Sequence, residues 1–329
     1  ADPTRQPSNM KLYPPIKRMS STLLSIAVLV IAVATPVFAD GVDRLFHFDN
    51  DWVLKINLKD FKLQKNDYSY EKSFRNVYGF NADGLIVSVF IEPAAAEGDS
   101  KVARQYYTDR LKQSPVLRTA EKSSEKGPAA MYEYFVAKFQ DQEINQRHVN
   151  MYLVRDNLWI DIHISKVRYK EEDKALFDAI INSVSFAPKN AYDYFGAGSY
   201  MYQDKKYAEA ARYYTAALDI EARKRTLEDE VWFALIDHLG ISLVLSGDAA
   251  KAKEVFLFGI KKSPEYPLFY YNLACTFAEE GDAAGAAKYL KQAKAVAKKK
   301  KFKLPDIKKD NSFDKVRDTK EFRQVADQD

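Results

Sequence analysis

Three side chains near the middle of the chain are of the kind that bind metals or move protons. The stretch "HVNMYLVRDNLWIDIHISK", residues 148–166, holds His148, Asp161 and His163 among valines and isoleucines. Two imidazoles and a carboxylate gathered on one face could make a facial metal site, or a histidine oriented by a carboxylate. Whether they gather depends on the strands that carry them. Period-two alternation reads as two strands, with "RDN" at 155–157 as their turn. If Arg155 faces Leu158, then His148 pairs with Ser165, Asn150 with His163 and Tyr152 with Asp161. One face then carries His148, Asn150, Tyr152, Trp159, Asp161 and His163. The other carries Val149, Met151, Leu153, Ile160, Ile162 and Ile164, a core face. Alternation would put polar residues on the first face whatever their use, so a surface or second-layer face is the expected reading. Spacing argues the same way: Asp161 and His163 are about 7 Å apart along a strand, and a diagonal reach to His148 depends on the register.

Other chemistry is sparse. His47 and His238 stand alone in the sequence, and HExxH, CxxC, GxSxG and a Gly-rich phosphate loop after a strand are all absent. Acid pairs such as Glu171 and Glu172, or Glu279 and Glu280, fall at expected helix ends, where solvated charge is the common use. Cys275 is the single cysteine, so the fold has no internal disulfide. Its setting in "NLACTFAEEG" reads as a small apolar helix residue rather than a reactive thiol. Neither an enzyme nor a bound cofactor is expected.

The 329 residues, 47% hydrophobic and 13% aromatic, are enough to fill two cores. Lys11, Lys17 and Arg18 precede the apolar run "LLSIAVLVIAVA" at 23–34, and Val37 and Ala39 suit a signal-peptidase site. Residues 1–39 are therefore expected to be a leader with a cleavable signal peptide, giving a periplasmic or extracellular protein. About 12 apolar residues are too few to span the roughly 30 Å hydrocarbon core as a helix. Those 39 residues hold four basic side chains and one acid, so the formal charge of +4 falls to +1 without them. A nearly neutral exported chain is a poor candidate for nucleic-acid binding.

Periodicity changes near residue 188, at "APKNAYDY". Between 40 and 187, strands are expected in "WVLKINL", "SFRNVYGFNA", "LIVSVFIEP", "AAMYEYFVAKF", "INQRHVNMYLVR" and "LWIDIHISK". Two helices interrupt them. "DSKVARQYYTDRLKQ" is capped by Asp99 or Ser100, with Val102, Tyr106 and Leu111 on one face. "KEEDKALFDAIINSV" carries Leu176, Phe177, Ile180, Ile181 and Val184 on one stripe. The implied class is α+β, an antiparallel sheet packed with helices. The closing "LWIDIHISKVRYKEEDKALFDAIINSVSF" and the early "SFRNVYGF" and "LIVSVFIEP" make this part resemble the PsbP-like α/β/α sandwich, which implies a fold and not an activity.

From 188 to 298 the chain is helical and repeats itself. "AGSYMYQDKKYAEAARYYTAAL", "LGISLVLSGDAAKAKEVFLFGI" and "LACTFAEEGDAAGAAKYLKQAK" align without gaps, the second and third offset by 34 residues. Each unit reads as a helix pair. Gly198, Gly240 and Ala274 allow a close crossing, and Gly247 and Gly281 break the first helix. Ala210, Ala252 and Ala286 face the partner helix, followed by Tyr214, Phe256 and Leu290. These residues and this period resemble the tetratricopeptide repeat. The first two units lie 42 residues apart, leaving eight extra around "EARKRTLEDE" for a longer helix or a loop, and Ala222 and Lys298 stand where that family usually has proline. The resemblance implies a partner-binding groove on the first helix of each pair. Here it comprises Tyr192, Phe195, Ser199 and Tyr202; then Asp237, Ile241 and Val244; then Leu268, Tyr271, Asn272, Cys275 and Glu279. Such an apolar and aromatic surface suits a protein segment from outside, or the chain's own tail or other domain.

Residues 299–329 read as a basic linker and a capping helix, "FDKVRDTKEFRQVADQ", with Phe313, Val316, Phe322 and Val325 inward. Eight lysines lie between Lys294 and Lys309. A solvated helix end accounts for them, and contact of Lys298 to Lys309 with anionic headgroups is the alternative. The function expected is thus an exported, non-enzymatic module that binds a protein partner through the groove. The alternative is a metal- or ligand-binding protein or hydrolase, with its site on the sheet face or in an interdomain cleft.

Overall fold

The computed structural model describes residues 43–48, 50–113, 118–139 and 141–327. The expected leader over 1–39 and its cleavage site lie outside them. The described chain forms two compact units, 43–262 and 263–327.

The first unit opens with a sheet region. Strands β3 (Phe61–Ser69), β4 (Phe74–Asn81), β5 (Leu85–Pro93), β6 (Thr119–Lys126), β7 (Ala129–Phe139), β8 (Gln142–Arg155) and β9 (Leu158–Lys166) form an antiparallel sheet in the order β3-β4-β5-β9-β8-β7-β6. All six expected strands are present. β3 and β6 are additional, and both are edges: β6, "TAEKSSEK", is exposed throughout and keeps its charges in water. A smaller sheet joins the sixth expected strand, β2 (Trp52–Ile56), to two more additional ones, β1 (Asp43–Phe46) and β10 (Ser185–Pro188).

Helix α1 (Ser100–Lys112) is capped by the Asp99 carboxylate, which accepts from the backbone of Lys101 and Val102. It covers one face of the large sheet. Val102, expected inward, is 39% exposed, and Ala103 is buried in its place beside Tyr106, Tyr107 and Leu111. Helix α2 (Lys174–Ser183) covers the opposite face through Phe177, Ile180 and Ile181, over Val87, Val89, Ile160, Ile162 and Ile164. The smaller sheet adds Trp52, Leu54 and Ile56 to that same core. The result is the expected α/β/α layering.

The chain passes from Pro188 through Lys189 into α3 (Ala191–Gln203), whose cap Asn190 accepts from the Asp193 amide while the Asp193 carboxylate accepts from the Asn190 amide. Two helix pairs follow in this unit: α3 with α4 (Tyr207–Arg223), and α5 (Asp229–Leu245) with α6 (Ala249–Lys262). A methyl group added at Gly198 would stand 2.6 Å from Tyr214 Cδ1, and one at Gly240 would stand 2.2 Å from Phe256 Cζ. The small-against-large lock expected of the repeat is therefore physical. The eight extra residues lengthen α4 and form the loop after it, where Glu221 accepts from Thr226 and from the amide of Leu227.

The second unit holds the pair α7 (Pro267–Glu279) and α8 (Ala283–Lys300), then the tail. The single capping helix expected from 313 is instead a 3-10 turn at Asn311–Phe313 and a short α9, Lys320–Ala326. Asp310 causes the turn by accepting from the Ser312 amide. Phe313, Val316 and Phe322 are buried as expected. Phe302 and Leu304 lie half-buried against α8 beside Ala295 and Ala297, while Lys298, Lys299 and Lys300 are exposed. Among the described residues no helix is long and apolar enough to cross a membrane.

Candidate functional site

The sheet face with the two histidines has the expected register: His148 opposite Ser165, Asn150 opposite His163, Tyr152 opposite Asp161. The turn is made by Asp156 and Asn157, both at positive φ (50° and 59°), the conformation of a tight two-residue hairpin turn. Most of this face is a second layer, with His148, Asp161 and His163 themselves half-buried. Tyr132, Tyr134, Tyr152 and Trp159 are buried on it beneath α1, and the Tyr107 ring stacks on Tyr152 at 5.2 Å.

Within this layer His148 Nδ1 lies 2.9 Å from His163 Nε2, so one ring donates to the other. His148 also stacks between Tyr134 and His163, at 4.6 and 5.2 Å. Burial lowers the imidazole of His148 to about 3, with His163 adding to the effect, and that of His163 to about 4; both are neutral near pH 7. Asp161 accepts from Asn150 Nδ2 at 3.0 Å, and burial raises its carboxyl to about 7 in spite of that bond. The carboxylate is thus turned to Asn150 while the imidazoles are turned to each other. Among the described residues no group of three or more His, Cys, Asp or Glu side chains is placed to hold a metal.

The expected groove residues fall in both units. On α3, Phe195 packs on Tyr214 and lies parallel to His238 at 6.1 Å, and Tyr202 stacks on His238 at 5.2 Å. Ser199 Oγ donates to the Phe195 carbonyl and accepts from the Tyr214 hydroxyl. Asp237 and Ile241 on α5 are buried, while Val244, Tyr192 and Tyr202 are half-buried and reach solvent. His238, isolated in the sequence, is the hub that joins α3, α4 and α5. Burial lowers it to about 4, so it serves as a neutral aromatic core residue.

On α7 the same face is occupied by the chain's own tail. The Tyr271 hydroxyl donates to Asp310 Oδ2 at 2.6 Å, and its ring meets Phe313 edge-on at 5.7 Å. Burial, with the Asp310 carboxylate adding to it, raises the Cys275 thiol well above the usual range, while a hydrogen bond with Ser312 opposes the shift. Lys315 pairs with Glu279 at 3.6 Å. Leu268 is buried and Asn272 half-buried.

No protein-family model matches the chain, and no curated protein is similar to it by sequence. Solved structures resemble parts of it. The chaperone PcrH of Pseudomonas aeruginosa is 17% identical over 41% of this chain and 90% of its own, with a TM-score of 0.30. The tetratricopeptide domain of Sgt2 from Aspergillus fumigatus is 18% identical over 42% of this chain and 81% of its own, at 0.32. Cyanobacterial PsbP of Synechocystis is 10% identical over 45% of this chain and 93% of its own, at 0.32. Each of these likenesses covers less than half of this chain. The architecture itself stands on the packing of the chain's own strands and helices.

Proposed function

We propose that this chain is an exported, non-enzymatic interaction module that binds a segment of a protein partner on the inner faces of α3 and α5. The half-buried rings of Tyr192 and Tyr202 on α3 and the half-buried Val244 on α5 carry this reading. These residues offer apolar and aromatic surface to water over a base fixed by Phe195, His238 and Tyr214. The chemistry of the α7 face supports it, because there a similar surface already holds a short turn with one acid and one aromatic, Asp310 and Phe313. Export rests on the apolar run at 23–34 behind Lys11, Lys17 and Arg18.

The test is capture from an exported fraction by the wild type and by a Tyr192→Ala, Tyr202→Ala double variant. Circular dichroism on both verifies that each is folded. The expected result is a protein retained by the wild type and lost from the variant. The same partner held by both would place the site elsewhere. N-terminal sequencing of the secreted chain, expected to begin at Asp40, tests export.

A further inference from the structure

Helix α8 ends in Lys298, Lys299 and Lys300, and the chain turns back at Lys301, whose φ of 54° is left-handed. The Phe302 amide donates to the Ala297 carbonyl at 2.9 Å, which brings Phe302 and Leu304 back along the helix. Lys294 Nζ donates to the Val325 carbonyl at 3.0 Å and so ties the end of α9 to α8. The three segments enclose a groove of about 390 Å³, with Lys291, Ala295 and Lys298 from α8 and Phe302, Leu304 and Val325 from the chain after it.

Lys291, Ala295 and Lys298 are exposed and Phe302, Leu304 and Val325 half-buried, so the cations and the apolar wall both reach solvent. No acid lines the groove, and among the described residues neither Lys291 nor Lys298 has an ion-pair partner. From Lys288 to Lys309 the chain holds ten lysines, no arginine and one acid, Asp306, which pairs with Lys309 at 3.5 Å. The macrodipole accounts only for lysines in the last helical turn. Lys291 lies two turns before Lys298, and Lys303, Lys308 and Lys309 lie beyond the helix. The choice of lysine separates the candidate ligands. A guanidinium grips a carboxylate bidentately, whereas an ammonium is a point charge on a flexible stem that meets a phosphate from any side. A lysine-only patch around accessible apolar side chains is the composition of an anionic-lipid contact.

We propose that this groove docks on an anionic phospholipid surface, Lys291 and Lys298 meeting headgroup phosphates and Phe302, Leu304 and Val325 meeting the apolar boundary beneath them. The contact is peripheral, since no described helix is long and apolar enough to cross a membrane. Lys294 contributes position: held to the Val325 carbonyl, it keeps the apolar wall beside the two ammonium groups. Such a contact needs both parts, because its strength is the sum of apolar area buried and attraction to anionic lipid.

The experiment uses the chain from Asp40 onward, because the apolar run at 23–34 would itself enter lipid. Co-sedimentation with vesicles of phosphatidylcholine containing about 30% phosphatidylglycerol is compared with phosphatidylcholine alone. The anionic vesicles are expected to bind at least about tenfold more tightly, and to lose about tenfold when salt rises from about 0.1 to about 0.5 M. Lys291→Gln with Lys298→Gln should weaken that binding about tenfold or more. Lys62→Gln with Lys65→Gln, an equal change of charge at exposed positions of β3, should leave it unchanged. Circular dichroism verifies the fold of each variant. The added fluorescence of Phe302→Trp should be quenched by phosphatidylglycerol brominated in its acyl chains. The proposal is overturned if the anionic vesicles do not bind, if neutral vesicles bind equally well, if the two lysine pairs behave alike, or if Phe302→Trp binds without quenching. Poly-glutamate binding as tightly as the anionic vesicles would assign the groove to an acidic protein and overturn it equally.

Discussion

Tyr271 on α7 donates a 2.6 Å hydrogen bond to Asp310 in the tail, and Phe313, three residues on, packs its ring edge against the same tyrosine. One face of a helix pair is thereby closed by the chain that follows it. The pair α7–α8 cannot bury its apolar face alone, and the tail supplies Phe313, Val316 and Phe322 in place of a further repeat.

Phe313→Ala should therefore detach the tail. The ring is fully buried, and its removal is expected to cost about 3–5 kcal/mol. Limited proteolysis would then cut between 301 and 319 at rates well above wild type. Tyr271→Phe keeps the ring and loses only the hydrogen bond to Asp310, an expected cost of about 1–2 kcal/mol.

The crossing of α3 and α4 gives a second expectation. Gly198→Ala places a methyl group against the Tyr214 ring at 2.6 Å, so the helices must separate, at an expected cost of about 1–3 kcal/mol in denaturant melts. Tyr214→Leu in the same chain should recover part of that loss, because the clash is with the ring. A sum of two independent losses would show that the contact is not shared.

The polar layer beneath α1 sets a pH dependence. Asp161 titrates near 3.8 when unfolded and at about 7 in the fold, so between those values the native state holds more protons and loses stability as pH rises. His148 and His163 run the other way: lowered from 6.5 to about 3 and 4, they favour the fold above pH 6.5 and lose that contribution as pH falls. Asp161→Asn isolates the first effect. Its melting temperature should match wild type near pH 4 and exceed it by a few degrees at pH 8. An equal difference at both values would mean that Asp161 does not titrate in this range.

Much of this architecture was legible in the residues. Strands such as "LIVSVFIEP" announce themselves because one face packs on Ile160, Ile162 and Ile164, and the turn at Asp156 and Asn157 fixed the pairing of His148 with Ser165. Gly198 with Tyr214 and Gly240 with Phe256 were legible because a close helix crossing needs both sizes in place. The edge strands β3 and β6 were not, since "FKLQKNDYS" and "TAEKSSEK" have a neighbour on one side only and keep polar faces in water. Nor was the burial of the histidine face, which depends on α1 laying Tyr106 and Tyr107 across Trp159 and Tyr152. The tail reads as one helix in the sequence because the spacing of Phe313 and Val316 fits a helix as well as it fits the turn set by Asp310. The burial of Arg75 gave no signal, since an arginine inside "SFRNVYGF" looks like any outward strand residue.

The central claim is that the inner faces of α3 and α5, through Tyr192, Tyr202 and Val244, receive the partner while the α7 face is already filled. Hydrogen exchange of the captured complex against the free chain tests it most directly. The account predicts slowed exchange in 191–203 and 229–245 and no change in 267–279 or 310–322. Protection confined to the edge strand 119–126, or to the α7 face with release of the tail, would contradict it.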